Sequence, residues 1–510
     1  MQIRANRILL LTLIGFALRL AGLGRQSLWY DEAFSLAVAR AEPSVFWTAL
    51  LSDGVHPPGY YLLLRESVAL FGASEFALRF LSAVAGTLAV PLLWRLGRAL
   101  GSERWGLAAG LLLALNPFAL WYAQEARMYS LLLCLTIAGG YAFWRLIIRP
   151  TPARWLELAL ISALSFAVHY FALVSSLAQF AYLVANLRQT HRSLRWWASA
   201  QAVAFLTFLP WAVAIATREG RNFGIGWIQA PTLLDLPLTL SNLALALSDP
   251  ASPWTWGGLL LVIVAAGLGA ARAIRPQPIS SLPGPLAHVA EPGRARGEAG
   301  AGQSPISFLL LWLLFPPVFA WLISLRLPLY VDRFFIICLP ALLLVLSSTI
   351  SLSSARLARS TMTVLVVVSA LACLRLWLDP HFIKEDWRAA ASYVQATQKP
   401  GDALVMHDFQ TGIPFGYYYR GELKAQAAAI NQQVTPLDEL AAGHDRLWLV
   451  YRRPFEATHE LAASRPFTWQ DDGEPSARAW LVSHQAALVS EETFPGVYVL
   501  LYQLSSAGSR

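Results

Sequence analysis

Two carboxylates stand side by side near the start of the chain. Asp31 and Glu32 follow the segment Trp29-Tyr30. Neighbouring side chains in a helix point about 100° apart, so the two acids cannot share one role. One of them could face a cavity and act in catalysis, while the other caps the helix or pairs with a base. The alternative is that they cap a helix N-terminus, where the helix dipole favours acids.

A second candidate motif is His56-Pro57-Pro58-Gly59-Tyr60-Tyr61. The two prolines fix the backbone beside His56. This imidazole could bind a phosphate, a hydroxyl group or, with a nearby carboxylate, a metal ion. The alternative is a turn between two helices in which the histidine is incidental.

Two further motifs combine arginine with acids and tyrosines. Residues 122–130 contain Glu125, Arg127 and Tyr129, and Arg333 follows Asp332. A guanidinium group can bind a phosphate through two hydrogen bonds. The alternatives are snorkelling at a membrane interface for the first motif and pairing of the acid with another arginine for the second.

One more histidine, His169, precedes Tyr170 at a predicted helix end. It is either a further site residue or a member of the aromatic belt that membrane proteins place at the interface.

The elements that position these motifs are membrane helices. Hydrophobic residues make up 56% of the 510 residues, charged residues 14%, and the mean hydropathy is +0.48. Soluble proteins carry about 25% charged residues, so this composition excludes a disordered chain and disfavours a soluble enzyme. About 11 apolar segments of spanning length begin near residues 8, 76, 105, 130, 155, 171, 197, 255, 306, 334 and 360.

The arginines predict the orientation of these spans. They precede the first span and follow every even-numbered one, as cytoplasmic loops do. The N-terminus is therefore predicted to be cytoplasmic, and the motifs above all fall on the outer side. Although the net charge is +8, this scattered pattern does not indicate a nucleic-acid partner.

Composition also predicts the domains. Residues 1–379 form a multi-span membrane domain, in which an outer loop at 25–75 carries two amphipathic surface helices, Asp31–Leu51 and Tyr60–Phe71. Residues 276–304 are rich in Pro and Gly and are predicted to be a flexible cytoplasmic linker. Residues 380–510 form a small extracytoplasmic α/β domain. Its predicted elements are strands at 403–407, 446–451 and 497–502 and helices at 386–399 and 456–463.

The motif set resembles the GT-C glycosyltransferases, most closely bacterial family 39-type members related to protein O-mannosyltransferases and lipid A aminoarabinose transferases. The matching residues are Trp29-Tyr30-Asp31-Glu32, His56 to Tyr61, Ser74-Glu75 with Leu78-Arg79 and Ser82, Gln124 to Ser130, and Arg333-Phe334. The tail adds a weaker match at Glu385 to Arg388 and Gly401-Asp402. Those transferases carry a further Asp near the position of Tyr129, and this chain departs from them there, with Glu125 upstream.

The resemblance implies a GT-C-like fold and a bacterial inner-membrane enzyme that moves a hexose or pentose from a polyprenyl-phosphate donor to a hydroxyl of a lipid, glycan or protein on the outer side. Asp31 matches the catalytic base, and Arg127 and Arg333 would hold the lipid phosphate. A nucleotide is not expected, and a divalent metal ion stays possible, although no metal ligand is assigned. The expected substrate-binding residues are Glu32, His56, Tyr60, Glu75, Glu125, Arg127, Tyr129, His169 and Arg333.

Two other classes of protein compete with the transferase. A secondary transporter or lipid flippase would use ionisable groups near the bilayer midplane and commonly shows internal repeats, which this sequence lacks. A membrane receptor that binds a ligand with its tail would leave the acidic first loop unexplained.

Overall fold

A computed structural model describes most of the chain as helices followed by a small mixed sheet. The described residues are 2–218, 228–247, 249–274, 304–351, 354–406, 409–427, 429–430, 433–434, 437–452 and 480–504. The predicted linker, apart from Ser304, and the predicted helix at 456–463 lie outside them.

The first eleven helices precede residue 218. They are α1 (Gln2–Leu20), α2 (Tyr30–Arg40), α3 (Pro43–Asp53), α4 (Gly59–Phe71), α5 (Glu75–Leu100), α6 (Glu103–Ala114), α7 (Pro117–Ala123), α8 (Tyr129–Ile148), α9 (Pro152–Val168), α10 (Phe171–Ala185) and α11 (Leu187–Thr217). The later helices are α12 (Asp235–Leu245), α13 (Pro253–Ile274), α14 (Pro305–Ser324), α15 (Leu339–Ser347), α16 (Ala355–Leu378), α17 (Trp387–Thr397), α18 (Phe409–Tyr418) and α19 (Leu437–Ala441). Short 3-10 helices cover Asp332–Cys338, Ser348–Ser351 and Pro380–Phe382.

Each segment predicted as a span coincides with a helix. Seven helical segments among the described residues are long and apolar enough to cross a membrane, and α6 with α7, bent by 57°, would make an eighth. The bend arises at Asn116, whose side chain caps α7 by accepting from the Ala119 N–H, and at Pro117, which begins it. The other three predicted spans are α1, α9 and α10, with 19, 17 and 15 residues. The polytopic helical fold class is confirmed.

Burial separates central from peripheral helices. In the span Asp332–Ile350, 94% of the residues are buried, whereas only 22% are buried in the apolar window of α11. Side chains such as Leu206 on α11 and Leu371 on α16 are exposed on the outside of the bundle. Apolar side chains on a helix exterior are typical of contact with lipid.

The first outer loop differs from its prediction. The single helix expected over Asp31–Leu51 is two helices, α2 and α3, because Pro43 occupies the first turn of α3 and the chain turns at Ala41 and Glu42. The second expected helix is α4. Its neighbour α2 buries Leu36 and Val38, so α2 belongs to the core rather than lying fully on a surface.

The tail after residue 402 contains all β-strands of the described residues. They are β1 (Ala403–Met406), β2 (Ala425–Ala427), β3 (Ala429–Ile430), β4 (Gln433–Val434), β5 (Arg446–Arg452), β6 (Ala487–Phe494) and β7 (Val497–Gln503). Five of them form a sheet in the order β2-β1-β5-β7-β6. β1 pairs in parallel with β2 and β5, and β7 pairs antiparallel with β5 and β6. The α/β class of the tail is as predicted, and β1, β5, β7 and α17 lie where the sequence predicts them. The prediction lacks β2, β3, β4, β6, α18 and α19; β6 is mostly exposed, so it shows no alternating apolar pattern.

Candidate functional site

Glu32 is the centre of a buried polar cluster. Both of its carboxylate oxygens accept from Arg79, Nε to Oε1 and Nη2 to Oε2, each at 2.7 Å. The Ala126 N–H also donates to Oε1, at 2.8 Å, and Lys384 Nζ lies 3.3 Å from Oε2. Burial alone would raise the pKa of Glu32, but the charges of Arg79 and Lys384 outweigh it and hold the pKa at about 2.

Arg79 connects this cluster to the segment that precedes Asp31. Its remaining N–H groups donate to the carbonyl oxygens of Leu23, Gln26 and Ser27 at 2.9, 3.0 and 2.9 Å. The guanidinium group, on the first turns of α5, therefore fixes the backbone that leads into α2.

Asp31 stands on the other side of α2 and faces Arg127. Its Oδ2 lies 3.6 Å from Arg127 Nη2, and its side chain is 19% exposed, whereas Glu32 is fully buried. Arg127 Nη1 also donates to Ser35 Oγ at 3.0 Å. The N-cap of α2 is Trp29, with no side-chain capping hydrogen bond, so neither acid is an N-cap. The two neighbouring carboxylates are divided between two environments, as helix geometry predicts.

Two neutral histidines form a wall beside Arg127. The rings of His56 and His169 lie 5.3 Å apart, edge to face. His169 Nδ1 accepts from the Phe171 N–H at 3.1 Å, which leaves Nε2 as the protonated ring nitrogen. Burial lowers the pKa of both imidazoles, helped by the charge of Arg127, to about 3 for His169 and well below the usual value for His56. The Nε2 atoms of both rings are buried, and neither has a hydrogen-bond partner in the described part of the chain.

Residues at the end of α9 and just after it contact the backbone on both sides of His56. α3 ends at Asp53, and its C-cap residue, Gly54, has a φ of 61°, which lies in the left-handed region. The Tyr170 hydroxyl donates to the Gly54 carbonyl at 3.2 Å. Gly59 approaches α9 so closely that a Cβ there would lie 2.5 Å from the Ala167 carbonyl oxygen. The His-Pro-Pro-Gly motif therefore needs its glycine for backbone contact.

Arg333 approaches from the span Asp332–Ile350. Its guanidinium carbon lies 5.9 Å from the ring centre of Tyr129, and the Phe334 ring lies 5.0 Å from that of His169. The preceding Asp332 accepts from the Asn242 amide at 3.0 Å and from the Thr239 hydroxyl. Asp332 is therefore held by two residues of α12, and it restrains the position of the adjacent Arg333.

The structure brings most of the predicted site residues together and places one elsewhere. The residues gathered around Arg127 are Asp31, Glu32, His56, Tyr60, Glu125, Tyr129, His169 and Arg333. Glu75 is different, because its carboxylate accepts from Arg388 and Tyr418 of the tail.

Three residues of this region were not singled out as site residues from the sequence. Arg79 and Lys384 bind Glu32, and Asp53 lies within electrostatic range of Asp31 and Arg127. Arg79 was visible as part of the motif set. The sequence distinguishes Lys384 in one way: lysine is rare in this chain, with three lysines among 39 basic residues.

No group of three or more His, Cys, Asp or Glu side chains that could hold a metal ion occurs in the described part of the chain. A divalent ion at this site therefore stays without assigned protein ligands.

Comparison with known proteins gives a family match and a fold match. Residues 55–213 match the dolichyl-phosphate-mannose-protein mannosyltransferase family. This segment contains the His56 motif, Arg127 and His169. No curated protein sequence matches the chain.

Solved structures share the fold at low sequence identity. ArnT from Cupriavidus metallidurans in the apo state is 13% identical and superposes with a TM-score of 0.50, over 98% of each chain. The Archaeoglobus fulgidus oligosaccharyltransferase, in complex with Zn and sulfate, is 11% identical, with a TM-score of 0.53 over 88% of this chain and 68% of its own. The archaeal oligosaccharyltransferase AglB from the same organism, in complex with an inhibitory peptide and a dolichol-phosphate, is 11% identical, with a TM-score of 0.52 over 88% and 69%. The chain therefore contains a segment that matches a mannosyltransferase family, and its helical membrane fold is similar to those of ArnT and the oligosaccharyltransferase.

Proposed function

We propose that the chain transfers a sugar from a polyprenyl-phosphate donor to an acceptor hydroxyl, with Asp31 as the general base. The observation that carries this proposal is the concentration of unsatisfied polar atoms around one accessible carboxylate. Arg127 Nε, Glu125 Oε2 and the Nε2 atoms of His56 and His169 are buried and have no hydrogen-bond partner among the residues that the structure describes. Buried polar atoms are costly without partners, so such a cluster is typical of a ligand site.

The charges of the site favour a phosphate donor. Arg127 and Arg333 are both buried, and the histidines beside them are neutral, so the positive charge of the region comes from the two guanidinium groups, of which that of Arg127 is opposed by Asp31 and Asp53. Burial disfavours the charge of Arg127, but Asp31 outweighs it and raises its pKa well above the usual value. The matched family is described by a dolichyl-phosphate sugar, and AglB was solved with a dolichol-phosphate.

The reaction follows from this arrangement. Asp31 takes the proton of the acceptor hydroxyl while its oxygen attacks the anomeric carbon of the sugar. The bond between that carbon and the phosphate oxygen breaks, and the polyprenyl phosphate leaves with the bonding electrons. Arg127 and Arg333 stabilise the negative charge that grows on the phosphate. The remaining predicted residues, including Tyr60 and Tyr129, shape the pocket for the sugar.

We further propose that the site faces the outer side of a bacterial inner membrane. The arginine-rich ends of the even-numbered predicted spans support a cytoplasmic N-terminus. The tail then lies outside, with the same face as Asp31. The donors of the assay below decide whether the sugar is a hexose or a pentose. The class of molecule that carries the label afterwards decides whether the acceptor is a lipid, glycan or protein.

The proposal predicts that Asp31→Asn abolishes transfer and retains donor binding. Loss of the base should lower the transfer rate by about 10²–10⁴-fold, because the amide cannot accept the proton. Transfer is measured in purified membranes with radiolabelled polyprenyl-phosphate hexoses and pentoses, and binding with the polyprenyl phosphate alone. Glu66→Gln, at an exposed acid of α4, is the matched control. Equal transfer by Asp31→Asn and wild type would remove Asp31 as the base.

A further inference from the structure

Lys384, in the segment between α16 and α17, places its side chain in the buried polar cluster around Glu32. Lys384 is 5% exposed, and its Nζ lies 3.3 Å from Glu32 Oε2 and 3.2 Å from Glu125 Oε1. The ammonium group also lies over two indole rings, 5.8 Å from the centre of Trp29 and 5.4 Å from that of Trp121. Its backbone N–H donates to Gln26 Oε1 at 2.7 Å. The side chain is therefore held from several directions.

The charges of this cluster balance in pairs. Glu32 is matched by Arg79, which binds both of its oxygens. Glu125 faces Lys384, and its second oxygen has no hydrogen-bond partner among the described residues. Burial raises the pKa of Glu125, and the ammonium group of Lys384 offsets only part of this rise. Removal of one partner from a buried ion pair leaves an uncompensated charge, which is strongly unfavourable.

The cluster also sets the position of Arg127. Residues 124–128 form the outer turn between α7 and α8. Glu125 is tied to Lys384, the Ala126 N–H is tied to Glu32, and Arg127 follows directly with its guanidinium group 3.6 Å from Asp31. A shift of this turn by about 1 Å would be enough to misplace a phosphate-binding arginine.

We propose that Lys384 is a positioning residue that the C-terminal region supplies to the active site. Its ammonium group neutralises Glu125 and thereby fixes the outer turn that aims Arg127 at the donor phosphate. The chain after α16 is then part of the site rather than a separate appendage. This inference rests on the transferase function proposed above.

The experiment compares Lys384→Met, Lys384→Arg, Glu125→Gln and the double variant Lys384→Met/Glu125→Gln, in full-length protein with equal folded amounts. Lys399→Met, at an exposed lysine of the tail, is the matched control. Lys384→Met should lower kcat for transfer at least tenfold with a smaller change in the donor KM, whereas Lys384→Arg should lose less. In the Glu125→Gln background the same lysine change should cost less than threefold, because no uncompensated acid remains.

Wild-type kcat in Lys384→Met, or an equal loss in both backgrounds, would overturn the positioning role. If wild type transfers no sugar, the proposed function fails, and the same variants are then compared for binding of polyprenyl phosphate. Weaker binding by Lys384→Met alone would support the inference in that case, and equal affinity would overturn it.

Discussion

At the scale of residues, the site depends on the different surroundings of two adjacent acids. Asp31 is partly accessible and faces a guanidinium group at 3.6 Å, whereas Glu32 is fully buried and accepts from Arg79, Ala126 and Lys384. The fully paired carboxylate cannot take a proton from a substrate. Two adjacent positions therefore hold one carboxylate in a buried ion pair and leave the other partly exposed, as the proposed base.

Asp53 is a second carboxylate near Asp31, and its protonation should affect stability. Burial raises its pKa from 3.8 to about 6, against the charge of Arg127. Between these values the folded protein binds a proton that the unfolded chain releases, so this group makes the protein less stable as pH rises from 4 to 6.

Asp53→Asn should therefore stabilise the protein at pH 7 by about 1–3 kcal/mol and at pH 4 by less than about 1 kcal/mol, because at pH 4 the folded acid is protonated and roughly half of the unfolded acid is protonated too. Thermal unfolding of both proteins in one detergent from pH 4 to pH 7 measures the difference. A difference in Tm that does not grow with pH would show that Asp53 is not destabilised by burial.

The sequence predicts most of these residues and few of their partners. Asp31, Arg127 and Arg333 stand out because charge is rare and costly in apolar segments. Lys384 lies 352 residues from Glu32, and no local pattern connects them. Asp53 precedes the His56 motif, but only the folded turn shows that it is half-buried near Arg127.

At the scale of elements, small residues let α5 and α6 pack with their backbones close together. A Cβ on Gly106 would lie 2.3 Å from the Trp94 carbonyl oxygen, and one on Gly97 would lie 2.8 Å from Gly106 Cα. The contact also restrains α5, the helix that carries Arg79, the partner of Glu32.

Gly106→Ala should destabilise the protein by about 1–3 kcal/mol, because a backbone atom on α5 would have to move. Gly267→Ala, in α13, is the control, since its Cβ would meet nothing within 4 Å, and alanine is the better helix former. Thermal unfolding of both variants checks the prediction. An unchanged Tm for Gly106→Ala would mean that the two helices separate without cost.

Helix positions follow from the sequence better than helix breaks do. Polar caps such as Ser74 and Ser102 and N-terminal prolines mark the starts of helices. The break between α2 and α3 also has a local signal in Pro43, but periodicity across residues 31–51 masked it. The bend of 57° between α6 and α7 depends in addition on Asn116, whose amide donates to the Leu243 carbonyl of α12.

At the scale of the whole molecule, polar contacts join the tail, from residue 380 on, to the helices of residues 1–379. Glu75 accepts from Arg388 and Tyr418, and the Tyr417 hydroxyl donates to the Ala73 carbonyl at 2.7 Å. The two-part architecture is visible in the composition, whereas this docking joins residues more than 300 positions apart and needs the fold.

Glu75→Gln should loosen this docking by about 1 kcal/mol or less, because Arg388 is half-exposed and such pairs are weak. Hydrogen exchange at the start of α17 should become a few times faster. Glu66→Gln serves as the control. Unchanged exchange in α17 would show that Arg388 and Glu75 do not hold the tail.

The spacing of the partners of Glu32 has a consequence for biosynthesis. This acid is synthesised early, and its partners follow 47, 94 and 352 residues later. A growing chain can form the pair with Arg79 soon after the first helices insert, but the ammonium group arrives only after α16 has been made. The site is therefore completed last, so an interrupted translation product lacks the finished arrangement even when its first helices are correctly folded.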